Sequence, residues 1–394
     1  MKSHEASMES PLLGDHIEAI RPVIPKDCSD TAALNAAMEL LVHGGRSLPL
    51  AKTVLIPPSW SITPGIPDSH KALYNYCNCI MSPWDGPAAM AACDGKWALA
   101  GMDRNGLRPM RYTITANKLL LVGSETGMVP THNTEVIECG HLGPGEMIGV
   151  EFESGTFYKD YAIKDKLADE YPYADWIQEV TVVDLPPATD TSHASRITEE
   201  AIRCQQIAAG QTQEDMELIL APMVKTGKEA VGSMGDDTPI ALLAKNYRGL
   251  HQFFRQNFSQ VTNPPIDSIR EKNVMSLNTR IGNKENILAQ GPEQTRLLLL
   301  KTPVLLNADM DALRNQYLGD TLYELDVTFE ANGKPGTMRK AIAALLKEAD
   351  KAFDEGRNDF VLTDEHRAPD RAAIPMILAV GALPMANAQL KFLQ

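Results

Sequence analysis

The chain has 394 residues, 44% of them hydrophobic and 22% charged, and a formal net charge of −14. This length and balance match a soluble globular protein of two domains with sizeable cores. The negative charge excludes non-specific nucleic-acid binding, which needs a basic footprint, and disfavours an anionic membrane surface.

No apolar run reaches the roughly 18 residues of a membrane span, and MKSHEASMES at the start lacks the apolar stretch of a signal peptide. The cytoplasm is the expected compartment. Cys28, Cys77, Cys79, Cys93, Cys139 and Cys204 are scattered. Only Cys77 and Cys79 are close, as C-x-C, which is neither a redox pair nor a zinc set. They read as free thiols in a reducing environment. The nine histidines stand apart, and no metal site is expected.

In chain order, Ser29-Asp30 opens a helix with Leu34, Ala37, Met38 and Leu41 on one face, closed by Gly44-Gly45. TVLI at 53–56 reads as a strand, and a second helix covers 70–80. Strand and turn alternate from Ala88. A strand at 96–102 turns at Asn105-Gly106 and returns at 111–115; Asn117-Lys118 turns again into 119–123. Segments 146–152 and 156–160, split by Ser154-Gly155, form a further hairpin. The first 163 residues thus read as antiparallel strands packed with helices. Residues 164–210 read as a charged connector, acidic and aromatic-tipped at 164–176, with a helix at 197–209. Thr212 with Asp215 marks a helix start, and that helix runs to Gly227. Beyond it, elements alternate: strand 303–306, helix 309–316, strand 322–329, helix 337–353, strand 359–362 and an apolar run at 374–383. Such alternation predicts right-handed crossovers and a parallel sheet.

DRNGLRP at 103–109 carries an aspartate and two arginines around an Asn-Gly turn. It reads either as an anion clamp, since arginine forks suit carboxylates, or as a hairpin whose arginines pair with Asp103 and neighbouring acids. PWDGPAA at 83–89 is punctuation before a strand. Asp30 is either a helix cap, worth about 1 kcal/mol, or a carboxylate placed for an amino group. KTGKEAVGSMGDDTP at 225–239 lacks the Gly-Lys-Ser/Thr of a phosphate loop. QVTNPPID at 260–267 reads as a rigid loop or as a polar lining for a small molecule.

IPKDCSDTAALNAAMELL, GRSLPLAKTVLIPPSW, MSPWDGPAAMAACDG, GMDRNGLRPMRY, GSMGDDTPIALL, FFRQNFSQVTNPPIDSIREKNVMSL and GRNDFVLTD follow one another as they do in glutamate synthase large subunits. The resemblance spans essentially the whole chain. It implies a type 2 glutamine amidotransferase domain of Ntn-hydrolase fold, a central α/β domain, an FMN-binding (β/α)8 barrel with an iron–sulfur cluster, and a β-helix. In such a subunit glutamine is hydrolysed at an N-terminal cysteine. Ammonia moves through a tunnel to 2-oxoglutarate, and the imine is reduced at FMN.

By that resemblance the fold class is α+β followed by α/β. Residues 1–163 match the C-terminal part of the amidotransferase domain (a partial αββα sandwich), and 164–210 match a connector. Residues 211–394 match a truncated central domain related to a (β/α) barrel. Asp30 matches the carboxylate that holds the glutamine α-amino group; Met234 and Thr262 match segments near the ammonia passage. No catalytic, cofactor-binding or metal-ligating residue is expected here, because FMN and the cluster belong to other parts of the subunit. The start of the chain resembles the segment after the family's HNGEIN motif, so the oxyanion Asn-Gly pair and the N-terminal cysteine are expected to be missing. The thioether of Met1 is no nucleophile, and Cys28 or Cys93, being internal, lacks the free α-amine that a free-standing amidase of this kind needs. The isolated chain is therefore expected neither to hydrolyse glutamine nor to bind FMN, and to show open sheet edges. Leu50 and Thr363-Asp364-Glu365 depart from the family's usual His and Ser-Asp-Arg. Implied partners are glutamine, ammonia, the remainder of the large subunit, and an NADPH-linked small subunit or ferredoxin. The alternative is a non-catalytic module that docks onto, or complements, other glutamate synthase subunits.

Overall fold

The computed structural model describes residues 10–185 (except 62, 133 and 134), 198–228, 249–253 and 275–383 (except 283 and 285), with isolated positions 4, 5, 8, 243, 392 and 393. The segments GSMGDDTP and QVTNPPID, with Met234 and Thr262, lie outside the described residues.

After a short α1 (Ile17–Ile20) comes α2 (Asp30–His43), as the sequence predicts. Ser29 is the cap: its Oγ accepts from the Ala32 N–H at 3.1 Å. Ala33, Leu34, Ala37, Met38 and Leu41 form its buried face. The strand expected at 53–56 is instead the end of a helix, α3 (Leu48–Leu55). Pro49 fits its first turn, where the missing N–H costs nothing. All eight residues are buried, so no polar stripe marks the helical period, and the β-branched tail mimics a strand. Next is α4 (Asp68–Ile80), burying Leu73, Tyr74, Tyr76 and Cys77.

Seven strands follow: β1 (Ala89–Cys93), β2 (Trp97–Met102), β3 (Arg111–Thr115), β4 (Leu120–Gly123), β5 (Val136–His141), β6 (Met147–Glu151) and β7 (Thr156–Tyr158). They form two antiparallel sheets, ordered β1-β2-β6-β7 and β4-β3-β5. The expected return of β2 through Asn105-Gly106 into β3 does not occur. Those strands lie in different sheets, because Asp103 folds the intervening loop into a crossover. The β3–β4 turn at Lys118 (φ 61°) and the β6–β7 turn at Gly155 (φ 63°) stand where the sequence puts them.

Helices α5 (Asp160–Asp169) and α6 (Tyr173–Trp176) complete this region. The stretch 164–176, expected as a connector, is helical here. Its acidic face is exposed, while Ile163, Leu167 and Tyr173 join the same core as α2, α3 and α4. The loop at 286–296 returns to this core. Buried Arg46 donates to Ile287 O and Ala289 O, both at 2.8 Å, and to Gln290 Oε1 at 2.5 Å. The Gly291 N–H meets the Tyr76 hydroxyl at 3.1 Å.

Further on, β8 (Thr181–Val182) lies beside β10 (Leu298–Leu300), which pairs with β9 (Thr279–Ile281). Between them are α7 (Glu199–Ala208) and α8 (Ala221–Thr226), the latter continuing a π-turn at Asp215–Leu220. Thr212 and Asp215 exchange the cap bonds that the sequence predicts. The strand expected at 303–306 is irregular, and the strand lies at 298–300 instead; Pro303 has no N–H to offer a ladder.

Helix α9 (Asn307–Ala312) leads to β11 (Leu322–Asp326) and β12 (Thr328–Glu330). These were expected as one strand. Asp326 Oδ1 takes both the N–H and the hydroxyl of Thr328, at 2.8 and 2.7 Å, and this turns the chain into a second sheet. Helix α10 (Thr337–Asp354) then carries the chain to β13 (Asp359–Thr363), parallel to β11, which is the predicted crossover. Next, β14 (Arg371–Ala373) pairs with β12, and α11 (Met376–Ala382) precedes β15 (Phe392–Leu393), parallel to β13. Leu325, Leu345, Ala349, Phe360 and Ile374 form this unit's core. The whole is mixed α/β, and no closed barrel forms among the described residues.

Candidate functional site

Between α2 and the edge strand β1 lies a cavity of about 580 Å³. Thr31, Leu34, Asn35 and Met38 line it from the helix, Ala88–Ala92 from the strand, and Arg108 from the loop after β2. Three of the five β1 residues are alanine, and their small side chains leave this volume open.

Asp30 is the first residue of α2 and stands beside the lining residue Thr31 without lining the cavity itself. It is not the cap; that role falls to Ser29. Asp30 Oδ1 accepts the Thr31 N–H at 2.8 Å, and its other oxygen has no partner among the described residues. No cysteine is among the described residues that line the cavity. Cys77 and Cys79 are buried, and burial pushes the Cys77 thiol up to about 12, so neither supplies a thiolate near neutral pH.

The cavity wall is held by a carboxylate that neither reading of DRNGLRP anticipates. Asp103 is fully buried and forms no ion pair with an arginine among the described residues. Its oxygens accept backbone N–H groups from Ala88 and Arg108 at 3.1 Å, and from Asn105 and Leu107 at 3.0 Å. One side chain thereby fixes both the start of β1 and the loop that presents Arg108. Asp103 O also accepts from the Gly145 N–H at 2.8 Å. Gly145 sits at φ 72°, and a Cβ there would meet Pro58 Cα at 2.7 Å.

Behind that turn is Lys52, wholly buried, donating to Gly145 O at 2.7 Å and Ile56 O at 3.3 Å. Burial above all, then the charge of Lys164, lowers its pKa to about 7 against the pull of nearby acids. Lys164 itself pairs with Asp160 at 2.6 Å.

Two family models divide the chain. The model for class-II glutamine amidotransferases matches residues 1–176, and that for the glutamate synthase central domain matches 204–389. The chain belongs to the glutamate synthase large-chain family. The glutamate synthase [NADPH] large chain of Azospirillum brasilense is 52% identical over 385 residues, which is 97% of this chain and 25% of that protein. The chloroplastic ferredoxin-dependent glutamate synthase 2 of Arabidopsis thaliana is 38% identical over 97% of this chain and 24% of its own length. The glutamate synthase [NADH] of Saccharomyces cerevisiae is 35% identical over 97% of this chain and 18% of its own length. The chain thus spans about a quarter or less of these relatives. The cavity lies wholly within the part matched to the amidotransferase model. Arg108, Asn35 and Thr31 had not been singled out as cavity residues. Only Arg108 carried a signal, its place in DRNGLRP.

Proposed function

We propose that this chain supplies one wall of the glutamine site, and scaffold for the ammonia passage, in a glutamate synthase. That enzyme acts as an oxidoreductase on CH–NH2 donors and, with its amidotransferase activity, converts glutamine, 2-oxoglutarate and reductant into two glutamates in nitrogen assimilation. The observation that carries this reading is the Asp30 carboxylate, with one oxygen unpartnered among the described residues, at the head of the helix that walls the cavity. A carboxylate so placed suits the ammonium of an amino acid, because a charge-assisted bond is the stronger kind. Met234 and Thr262 are assigned to the ammonia passage on the resemblance alone.

No thiol stands among the described residues that line the cavity, and by the family resemblance the attacking sulfur and its oxyanion donors belong to another part of the enzyme. The described residues hold no group of three or more potential metal ligands, and all six cysteines are free. These residues do not fit an iron–sulfur cluster. The remainder of the large subunit is the natural partner. Helices α7 and α8, with the turn before α8, leave Ile207, Leu218 and Val224 exposed, an apolar surface that another part of the enzyme would cover. The names of the relatives carry NADPH, NADH and ferredoxin, so an NADPH-linked subunit and ferredoxin both stand as electron donors. No helix among the described residues is long and apolar enough to cross a membrane. The cytoplasm is our proposed compartment, on the six free thiols.

The test is a chimera in which this chain replaces the aligned segment of the Azospirillum brasilense large chain. Glutamine-dependent glutamate formation is expected. A folded chimera that leaves glutamine untouched would count against the reading.

A further inference from the structure

The two arginines of DRNGLRP go to different cavities. Arg108 lines the one described above, and Arg104 lines a separate cavity of about 320 Å³ between α4, α5 and the loops around Pro58 and Pro144. In that second cavity nearly every other charged group is already matched. Lys164 pairs with Asp160 at 2.6 Å, and His70 Nε2 meets Asp165 Oδ1 at 2.7 Å. Glu146 accepts the Gly143 N–H at 2.6 Å and lies within electrostatic reach of buried Lys52.

Arg104 differs. It is half-buried, its Nε is buried without a hydrogen-bond partner, and no described residue forms an ion pair with it. Asp85, the carboxylate whose charge it senses, is instead held by Asn105 Nδ2 at 2.8 Å. Tyr74, buried in the same lining, also has a hydroxyl that donates to no described residue. A buried guanidinium N–H without an acceptor is costly, and an anion in the cavity would complete it. Its planar fork matches a carboxylate, and Pro58, Ile66 and Pro144 give the cavity apolar wall suited to a short aliphatic chain.

We propose that this second cavity binds a small aliphatic carboxylate, gripped by the Arg104 fork, with the Tyr74 hydroxyl as a second donor. The site is independent of the glutamine-site reading, since the two cavities share no lining residue.

The experiment is a calorimetric and NMR titration of the full 394-residue chain with butyrate, its uncharged isostere butyramide, and inorganic phosphate. Butyrate is expected to bind and butyramide not to. Arg104→Gln should weaken butyrate by about tenfold or more, the loss of a charged hydrogen bond. Arg104→Lys should recover only part of this, because an ammonium makes no fork, and Tyr74→Phe should weaken binding by a smaller factor. Arg111→Gln removes an exposed charge in β3 and should leave the affinity unchanged. If Arg104→Gln does not fold, the Lys and Phe variants decide. The proposal falls if butyrate does not bind, if butyramide binds as well, if phosphate takes the site with equal or greater affinity, or if the folded Arg104 variants bind butyrate like the parent chain.

Discussion

The amidotransferase-like region and the β11–α10–β13 unit are built on opposite principles. In the first, buried charge directs the backbone: Asp103, Lys52, Arg46, Asp160 and Lys164 are all inside, most of them bonded to loop carbonyls or amides. In the second, a two-strand crossover closes over an apolar core, and its buried polar residues are threonines. Position in the first region therefore depends on a few side chains whose partners are far apart in sequence. In the second the core follows from hydrophobic period, with Asp326 turning the chain at the end of β11.

The sharpest way to break this contrast is Asp103→Ala. Four backbone N–H groups would lose their acceptor in a buried loop, and we expect a loss of about 4 kcal/mol in urea denaturation, at roughly 1 kcal/mol or more per orphaned donor. Hydrogen exchange should rise throughout β1–β7 and remain unchanged in α10. Protection that falls equally in both regions would erase the distinction.

Leu345→Ala asks the same question from the other side. It opens the small core, and we expect about 3 kcal/mol, with faster exchange confined to 322–383. Arg46→Met tests the tie between the first core and the returning loop. Losing three bonds to 287–290 should cost about 2 kcal/mol and expose that loop to protease, while the sheet stays protected.

The smallest effect is a pH dependence. Lys52 titrates near 7 when folded and near 10.5 when unfolded, so between these values the unfolded chain binds more protons and stability rises with pH. The rise should be visible from about pH 7 to about 8 and amount to about 1 kcal/mol over that interval. From about pH 9 the Cys77 thiol, held at about 12 when folded, opposes the trend, because the unfolded chain then loses its proton first. Lys52→Met should flatten the rise. A variant that keeps the full slope would show that Lys52 is not its source.

These differences also explain what could be read from sequence. The α10 stripe of Ile342, Leu345, Leu346 and Ala349 announces both the helix and the crossover. The cap at Ser29 and the turns at Lys118 and Gly155 are local events, with local signatures. What escaped is non-local or featureless. Helix α3 is buried on every side and has no period to show. Asp103 acts on Ala88, fifteen residues back, so nothing in DRNGLRP reveals that its aspartate, and not its arginines, organises the loop. For the candidate site, Asp30 was visible through family resemblance, while the cavity beside it depends on the alanines of β1 facing α2 across the fold.

The most direct measurement is the KM for glutamine of the Azospirillum chimera carrying Asp30→Asn. The side chain is exposed and bonds only its neighbour's N–H, so folding should change by less than about 0.5 kcal/mol. If Asp30 holds the substrate ammonium, KM should rise by about tenfold or more, the loss of a charge-assisted bond, while the melting temperature holds. An unchanged KM in a folded, active chimera would contradict the account.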